Sequence, residues 1–213
     1  ARVDAVICLS REALRLARQR FPALERCPGH VVPHGHYRES YPNTLDPTEA
    51  RRRLGLDAET AVILHFGLLR PYKNVPHLIA TFAEAALPDA VLLIAGKPFD
   101  AQVQSEVEHA AMGVEGVRLE LRYVAPDDVQ LYFLVADLVV LPYQRILNSG
   151  AALLALSFAR PVLVPDKGSM VEHRADFGAD WIRLYEGELS THDLRTALDW
   201  AQSGKRVRPD IDH

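Results

Sequence analysis

The sequence predicts a doubly wound α/β fold: one parallel sheet with helices on both faces, preceded by a short βα stub. Three observations carry this. Short apolar runs alternate with helical patterns along the 213 residues. Several of those runs, AVIL, AVLLIA, DLVVL and PVLVP, are near-continuous in β-branched residues and leucine, as suits strands buried on both faces. The helical stretches between them begin at residues that cap helices well.

In chain order, Val3–Leu9 reads as a strand, Arg11–Arg20 as a helix and His30–Val32 as a second short strand. Residues 34–46 (HGHYRESYPNTLD) are polar, contain proline and lack periodicity, and read as a connector. A helix over Pro47–Leu54 follows, with Asp46 as its cap, proline at its first position and Glu49 in its first turn. Strands are predicted over Ala61–Phe66, Ala90–Ala95, Val117–Tyr123, Leu138–Leu141, Pro161–Val164 and Trp181–Tyr185. Helices are predicted over Val75–Ala86 behind Asn74, Ala101–Ala111 behind Asp100, Asp127–Val135, Ala151–Phe158 and Thr191–Gln202. The chain opens at Ala1 directly into a strand and stops in a polar stretch, so it is expected to be a piece of a longer protein.

Composition narrows the function. Apolar residues make up 48% and charged residues 24%, ordinary for a folded domain. No apolar run is long enough for a membrane-spanning helix. A net charge of −4 gives no general attraction to nucleic acid or anionic lipid. Cys8 and Cys27 are too few for a disulfide scaffold and lack zinc-ligand spacing; reduced thiols of a cytosolic protein are the expected state. No repeat, GxxxxGK[ST], GxGxxG, GxSxG or HExxH motif occurs. Solenoids, P-loop NTPases, dinucleotide oxidoreductases, serine hydrolases and zincins are therefore disfavoured. His34 and His36 have no third ligand at suitable spacing and read as connector residues around Gly35.

Open α/β sheets bind ligands on the loops that follow the strands. After AVILHF comes GLLRPYKN, where Gly67 permits a close turn and Arg70 and Lys73 bring positive charge beside a helix start. After DLVVLPY comes QRILNSG, whose Asn148, Ser149 and Gly150 present amides and a hydroxyl at the start of another helix. Together these loops suit a diphosphate. Two further loops offer Gly96 with Lys97, and Asp166, Lys167, Gly168 and Glu172, where solvated side chains are the plainer reading.

The order ICLS, VVPHGH, FGLLRPYKNVPHLIATF, LLIAGKP, ADLVVLPY, ILNSGAALLALSFARPVLVP and GSMVE resembles the nucleotide-sugar-binding half of family 4 glycosyltransferases of the GT-B fold, from about Val3 to Trp200. The resemblance implies two Rossmann-like domains facing across a cleft. Residues 1–33 would end the acceptor domain, 34–46 would be the hinge, and 47–213 the donor domain. It implies transfer of a sugar from a UDP- or GDP-sugar to a glycan or lipid-linked acceptor, without a metal, in the cytoplasm or peripherally at the inner membrane face through the preceding domain. Polysaccharide biosynthesis in a bacterium is the implied setting. In the family's G-R-L-x-x-x-K turn, Gly67 and Lys73 are kept, Leu68 stands at the arginine, and Arg70 is the expected substitute. Arg70 and Lys73 would stabilise the departing diphosphate, with Asn148, Ser149 and Gly150 as further contacts. The family's glutamate pair falls on Ile146 and Leu154, which leaves ribose recognition and the stereochemical outcome open. Glu172 matches the trailing glutamate, a candidate for the ribose or sugar. The fragment alone is expected to bind nucleotide without transferring sugar. A nucleotide-sugar epimerase of the same fold and a non-catalytic interaction domain are the alternatives.

Overall fold

The computed structural model describes residues 3–204 and 206–211. The outermost domain boundaries expected above, at 1 and 213, lie outside them. At the start, β1 (Val6–Cys8) pairs in parallel with β2 (Gly29–Val31), joined through α1 (Arg11–Arg20). The strand is shorter than the Val3–Leu9 expected.

The rest is one six-stranded parallel sheet. Its strands are β3 (Ala61–Phe66), β4 (Ala90–Ala95), β5 (Val117–Glu120), β6 (Leu138–Val140), β7 (Val162–Pro165) and β8 (Ile182–Tyr185). Their spatial order is β5-β4-β3-β6-β7-β8, so the winding reverses between β3 and β6. β3 and β4 run in full register from Ala61↔Ala90 to Phe66↔Ala95.

Side-chain alternation along these strands builds two cores. Val62, Leu64 and Phe66 join one face, with α2 (Pro47–Arg53), α5 (Val129–Val135) and α6 (Gly150–Ser157) over it. Ala61 and Ile63 join the other, beneath α3 (Val75–Ala85), α4 (Ala101–Ala111) and α8 (Thr191–Gln202). Both faces of β3 and β4 are fully buried, the physical reason their sequences are apolar throughout but for His65. Burial of these runs is the main source of stability.

Several local expectations are corrected. Asp127 and Asp128 form a short 3₁₀ turn, Pro126–Asp128, and α5 proper begins after it. Asn74 does not cap α3 through its side chain; it takes a left-handed conformation (φ 55°) that turns the chain into the helix. As expected of either Asn148 or Ser149, one of them caps α6: it is Ser149, whose Oγ accepts from the Ala152 N–H at 3.2 Å. A helix absent from the sequence reading, α7 (Met170–Phe177), follows β7.

The connector is fastened to the sheet's helices. The Tyr37 N–H donates to Ser157 Oγ at 2.9 Å, and the N–H groups of Thr44 and Leu45 both donate to Gln130 Oε1.

Candidate functional site

The site lies where the winding reverses, on the loops after β3 and β6, the position at which open α/β sheets hold ligands. The loops after β3 and β4 are zipped together first. Gly67 N–H donates to the Ala95 carbonyl, Leu69 N–H to Lys97, and Phe99 N–H to Leu69, each at 2.9 Å. Gly67 (φ 112°) and Gly96 (φ 150°) adopt backbones that favour glycine, and a Cβ on Gly96 would lie 2.1 Å from the Gly67 carbonyl oxygen.

Beyond Gly67 the chain makes a 3₁₀ turn, Pro71–Lys73, which drives the Lys73 side chain inward to only 8% exposure. Its Nζ lies over the Tyr143 ring, 5.2 Å from the centroid, and 3.3 Å from where a Cβ on Gly67 would be. Among the described residues no carboxylate pairs with it. Burial first, and the Arg70 charge second, lower its ionisation from 10.5 to about 8. A buried ammonium without a counter-ion is costly unless an anion arrives to complete it.

Tyr143, after β6, organises the seat. Tyr72 and His65 both meet its ring edge-on, at 5.9 and 6.1 Å. The Gln144 N–H donates to the Tyr72 carbonyl at 2.9 Å, tying the two loops directly. His65 is wholly buried; its Nδ1–H donates to the Val140 carbonyl, which leaves Nε2 as a lone pair with no partner. Burial, with the Lys73 charge behind it, pushes His65 down to about 3, so the ring stays neutral. The Tyr143 hydroxyl is buried, faces the Ser149 side chain and forms no hydrogen bond of normal geometry; Asn148 Oδ1 is likewise buried and unpartnered. Burial holds the Tyr143 phenol protonated. These orphaned groups surround the start of α6, whose first amides have no intrahelical partner. The arrangement can neutralise and hydrogen-bond an anion.

The structure therefore brings Gly67, Lys73 and Ser149 together through Tyr143, with Asn148 and Gly150 on the same loop. Arg70 is exposed and stands 4.5 Å over the Phe99 ring, held at the rim by the zipped loops. Gly67 lines the neighbouring cavity of about 340 Å³ together with Gly96 and Lys97 from the loop after β4, and Tyr41, Phe66, Leu68 and Tyr123 complete the wall. Glu172 is elsewhere. Its two carboxylate oxygens accept from the Arg11 and Glu12 N–H groups at 3.0 and 3.2 Å, and Arg11 Nε adds an ion pair at 3.1 Å. It caps α1 and ties the stub to the main sheet, and it lines a cavity of about 320 Å³ together with Arg11, His34 and His173. Tyr143, His65 and Tyr37 were not found from sequence. The only signal was a single histidine inside the apolar run AVILHF; Tyr143 and Tyr37 stand in loops with nothing local to mark them.

A doubly wound sheet with cationic and amide-rich loops on either side of its switch point is the class of α/β domain that holds ligands at its strand ends. The chain belongs to the glycosyl transferases group 1 family, whose model matches residues 60–182. It is 36% identical over 182 residues, 85% of its length, to a GDP-mannose:glycolipid 4-beta-D-mannosyltransferase of Xanthomonas campestris pv. campestris, covering 50% of that protein. The chain spans about half the length of the curated relatives it matches. Among solved structures, it superposes on HepE of Anabaena in complex with UDP-glucose with a TM-score of 0.73 at 20% identity, covering 92% of this chain and 53% of that one. It superposes on sucrose-phosphate synthase of Thermosynechococcus elongatus with a TM-score of 0.71 at 20% identity, covering 94% and 51%. These structures share the fold of this chain. No helix among the described residues is long and apolar enough to cross a membrane.

Proposed function

We propose that this chain is the donor-binding half of a hexosyltransferase that moves a sugar from a GDP- or UDP-sugar to a glycan or lipid-linked acceptor. The observation that carries it is Lys73: a buried cation without an acid, beside the unsatisfied polar groups at the start of α6. Lys73 and the amides of Gly150 and Ala151 would grip the diphosphate, and Arg70 would close over it from the rim. Together they stabilise the charge that develops as the nucleoside diphosphate departs, with no metal called for. The cavity beside Gly67 would take the nucleoside, with the Tyr41 and Tyr123 rings as walls.

The mannosyltransferase relative, named for GDP-mannose, favours GDP over UDP. None of the relatives named above is an epimerase. Residues 1–33 would close the acceptor domain, with 34–46 as hinge and 47–213 as donor domain. In support, Ile7 on β1 is 69% exposed and Val32 after β2 is 52% exposed, as expected where further strands of that domain would pack. An enzyme of this kind works in the cytoplasm, with peripheral contact to the inner membrane face supplied by the preceding domain. The isolated chain should bind nucleotide and not transfer sugar.

The pH dependence of binding tests the reading. Lys73 in the free protein ionises near 8, below the ordinary lysine value, so the empty site loses its charge above that pH. A bound diphosphate retains the proton. Affinity must therefore fall as pH rises through about 8, by roughly 30-fold between pH 7 and 9.5. Calorimetric titration with GDP and UDP measures this, and an affinity that is flat over the interval removes Lys73 from the site.

A further inference from the structure

The connector places a second polar pair at the start of α6. Gly150 is the first residue of that helix, and its backbone is not in the left-handed region, so glycine is not required there for conformation. What glycine supplies is room: a Cβ at that position would lie 2.9 Å from the Tyr37 hydroxyl and 3.8 Å from His34 Nε2. The Tyr37 hydroxyl thus stands against the helix start, on the same turn as Ser149 and its unpartnered neighbours Tyr143 and Asn148.

Its hydrogen-bonding state follows from His34. The His34 Nδ1 lies 2.8 Å from the Gly35 carbonyl, which can only accept, so Nδ1 carries the proton. In the neutral ring Nε2 is then an acceptor, and it takes the Tyr37 O–H at 3.3 Å. With its proton engaged, the Tyr37 oxygen offers only lone pairs, which repel phosphate oxygens and attract a hydroxyl. The Tyr37 ring is 6.1 Å from that of Tyr41, which lines the nucleoside-sized cavity, and its backbone is pinned to Ser157 on α6. The tyrosine is therefore fixed between that cavity and the helix start.

We infer that Tyr37 is a donor-binding residue that accepts a hydrogen bond from a sugar hydroxyl of the nucleotide sugar, with His34 as the positioning residue that turns its oxygen toward the ligand. This rests on the donor-binding reading above. It supplies an acceptor where the carboxylates expected by resemblance are replaced by Ile146 and Leu154. The hydroxyl belongs either to the ribose or to the transferred hexose, and the ligands below separate the two.

The test is calorimetry on the 213-residue protein with GDP or UDP, whichever binds more tightly, with the corresponding hexose conjugate, and with inorganic pyrophosphate. Tyr37→Phe is expected to weaken binding about 3- to 10-fold. A loss already present with the nucleoside diphosphate assigns the contact to the ribose; a loss confined to the conjugate assigns it to the hexose. Pyrophosphate, which has no carbon-borne hydroxyl, should bind wild type and variant alike. His34→Ala should weaken binding in the wild-type background and add nothing in the Tyr37→Phe background. Equal affinities of Tyr37→Phe and wild type for both nucleotides overturn the inference, as does a parallel loss for pyrophosphate. A wild-type protein that binds none of the ligands instead overturns the donor-binding reading itself.

Discussion

Lys73→Ala should weaken nucleoside diphosphate binding about 10- to 150-fold, the equivalent of about 1.5–3 kcal/mol for a lost charge-assisted contact in a buried site. The expectation rests on placement. Lys73 is pressed against Tyr143 with no competing acid, so its charge is available only to a ligand. Removing the ammonium also removes the positive neighbour of His65 and the cost of burying it. The folded protein should accordingly be no less stable in chemical denaturation, and loss of affinity without loss of stability is the signature of a binding cation. Calorimetric titration at pH 7 and a urea melt read the two quantities separately. An unchanged affinity shows that the diphosphate does not reach this lysine.

The second large effect is on stability. Gly96→Ala places a methyl group 2.1 Å from the Gly67 carbonyl oxygen, on a backbone with φ 150°. The obstacle is main chain and cannot swing aside. The hydrogen bonds zipping the loops after β3 and β4 would have to part, and with them the wall of the cavity beside Gly67. Overpacking and backbone strain together put the loss at about 3 kcal/mol or more. Nucleotide affinity should fall as well, because Leu69 and Phe99 set the position of Arg70. Urea denaturation checks it, and a loss below about 1 kcal/mol would mean that the two loops are less closely joined than described.

The sheet was legible because its strands bury both faces. AVLLIA is an unbroken apolar run and AVILHF is broken only by His65; both are bounded by glycine and acidic or polar residues, and both have the predicted limits. Edge strand β5 is only partly buried, so its sequence, VRLE, blends into the polar loop and the predicted strand ran too far. Helix α7 was missed for a related reason. MVEHRADF carries polar residues on several sides and no side-chain cap at its start, yet Met170 and His173 bury against the sheet.

The site was half legible. Gly67, Lys73 and Ser149 stand next to helix starts in their own loops, which local sequence reports. The partners that give them meaning are less visible: Tyr143 stands earlier in the loop after β6, His65 comes from within a strand, and Tyr37 from the connector. Only folding brings a connector tyrosine against Gly150. The Glu172 cap on α1 was not legible, because a glutamate at a loop end has the same local appearance whatever distant part of the chain it meets.

The central claim is that a diphosphate sits between the loops after β3 and β6. Amide shift mapping by ¹H–¹⁵N NMR, with GDP or UDP added to the 213-residue protein, tests it directly. The largest perturbations are expected on Gly67–Asn74 and Asn148–Ala152, with the cavity around Tyr41 and Tyr123 next. Perturbations gathered instead around Arg160, Arg206 and Arg208, which line a separate basic hollow at the opposite strand ends, would contradict it.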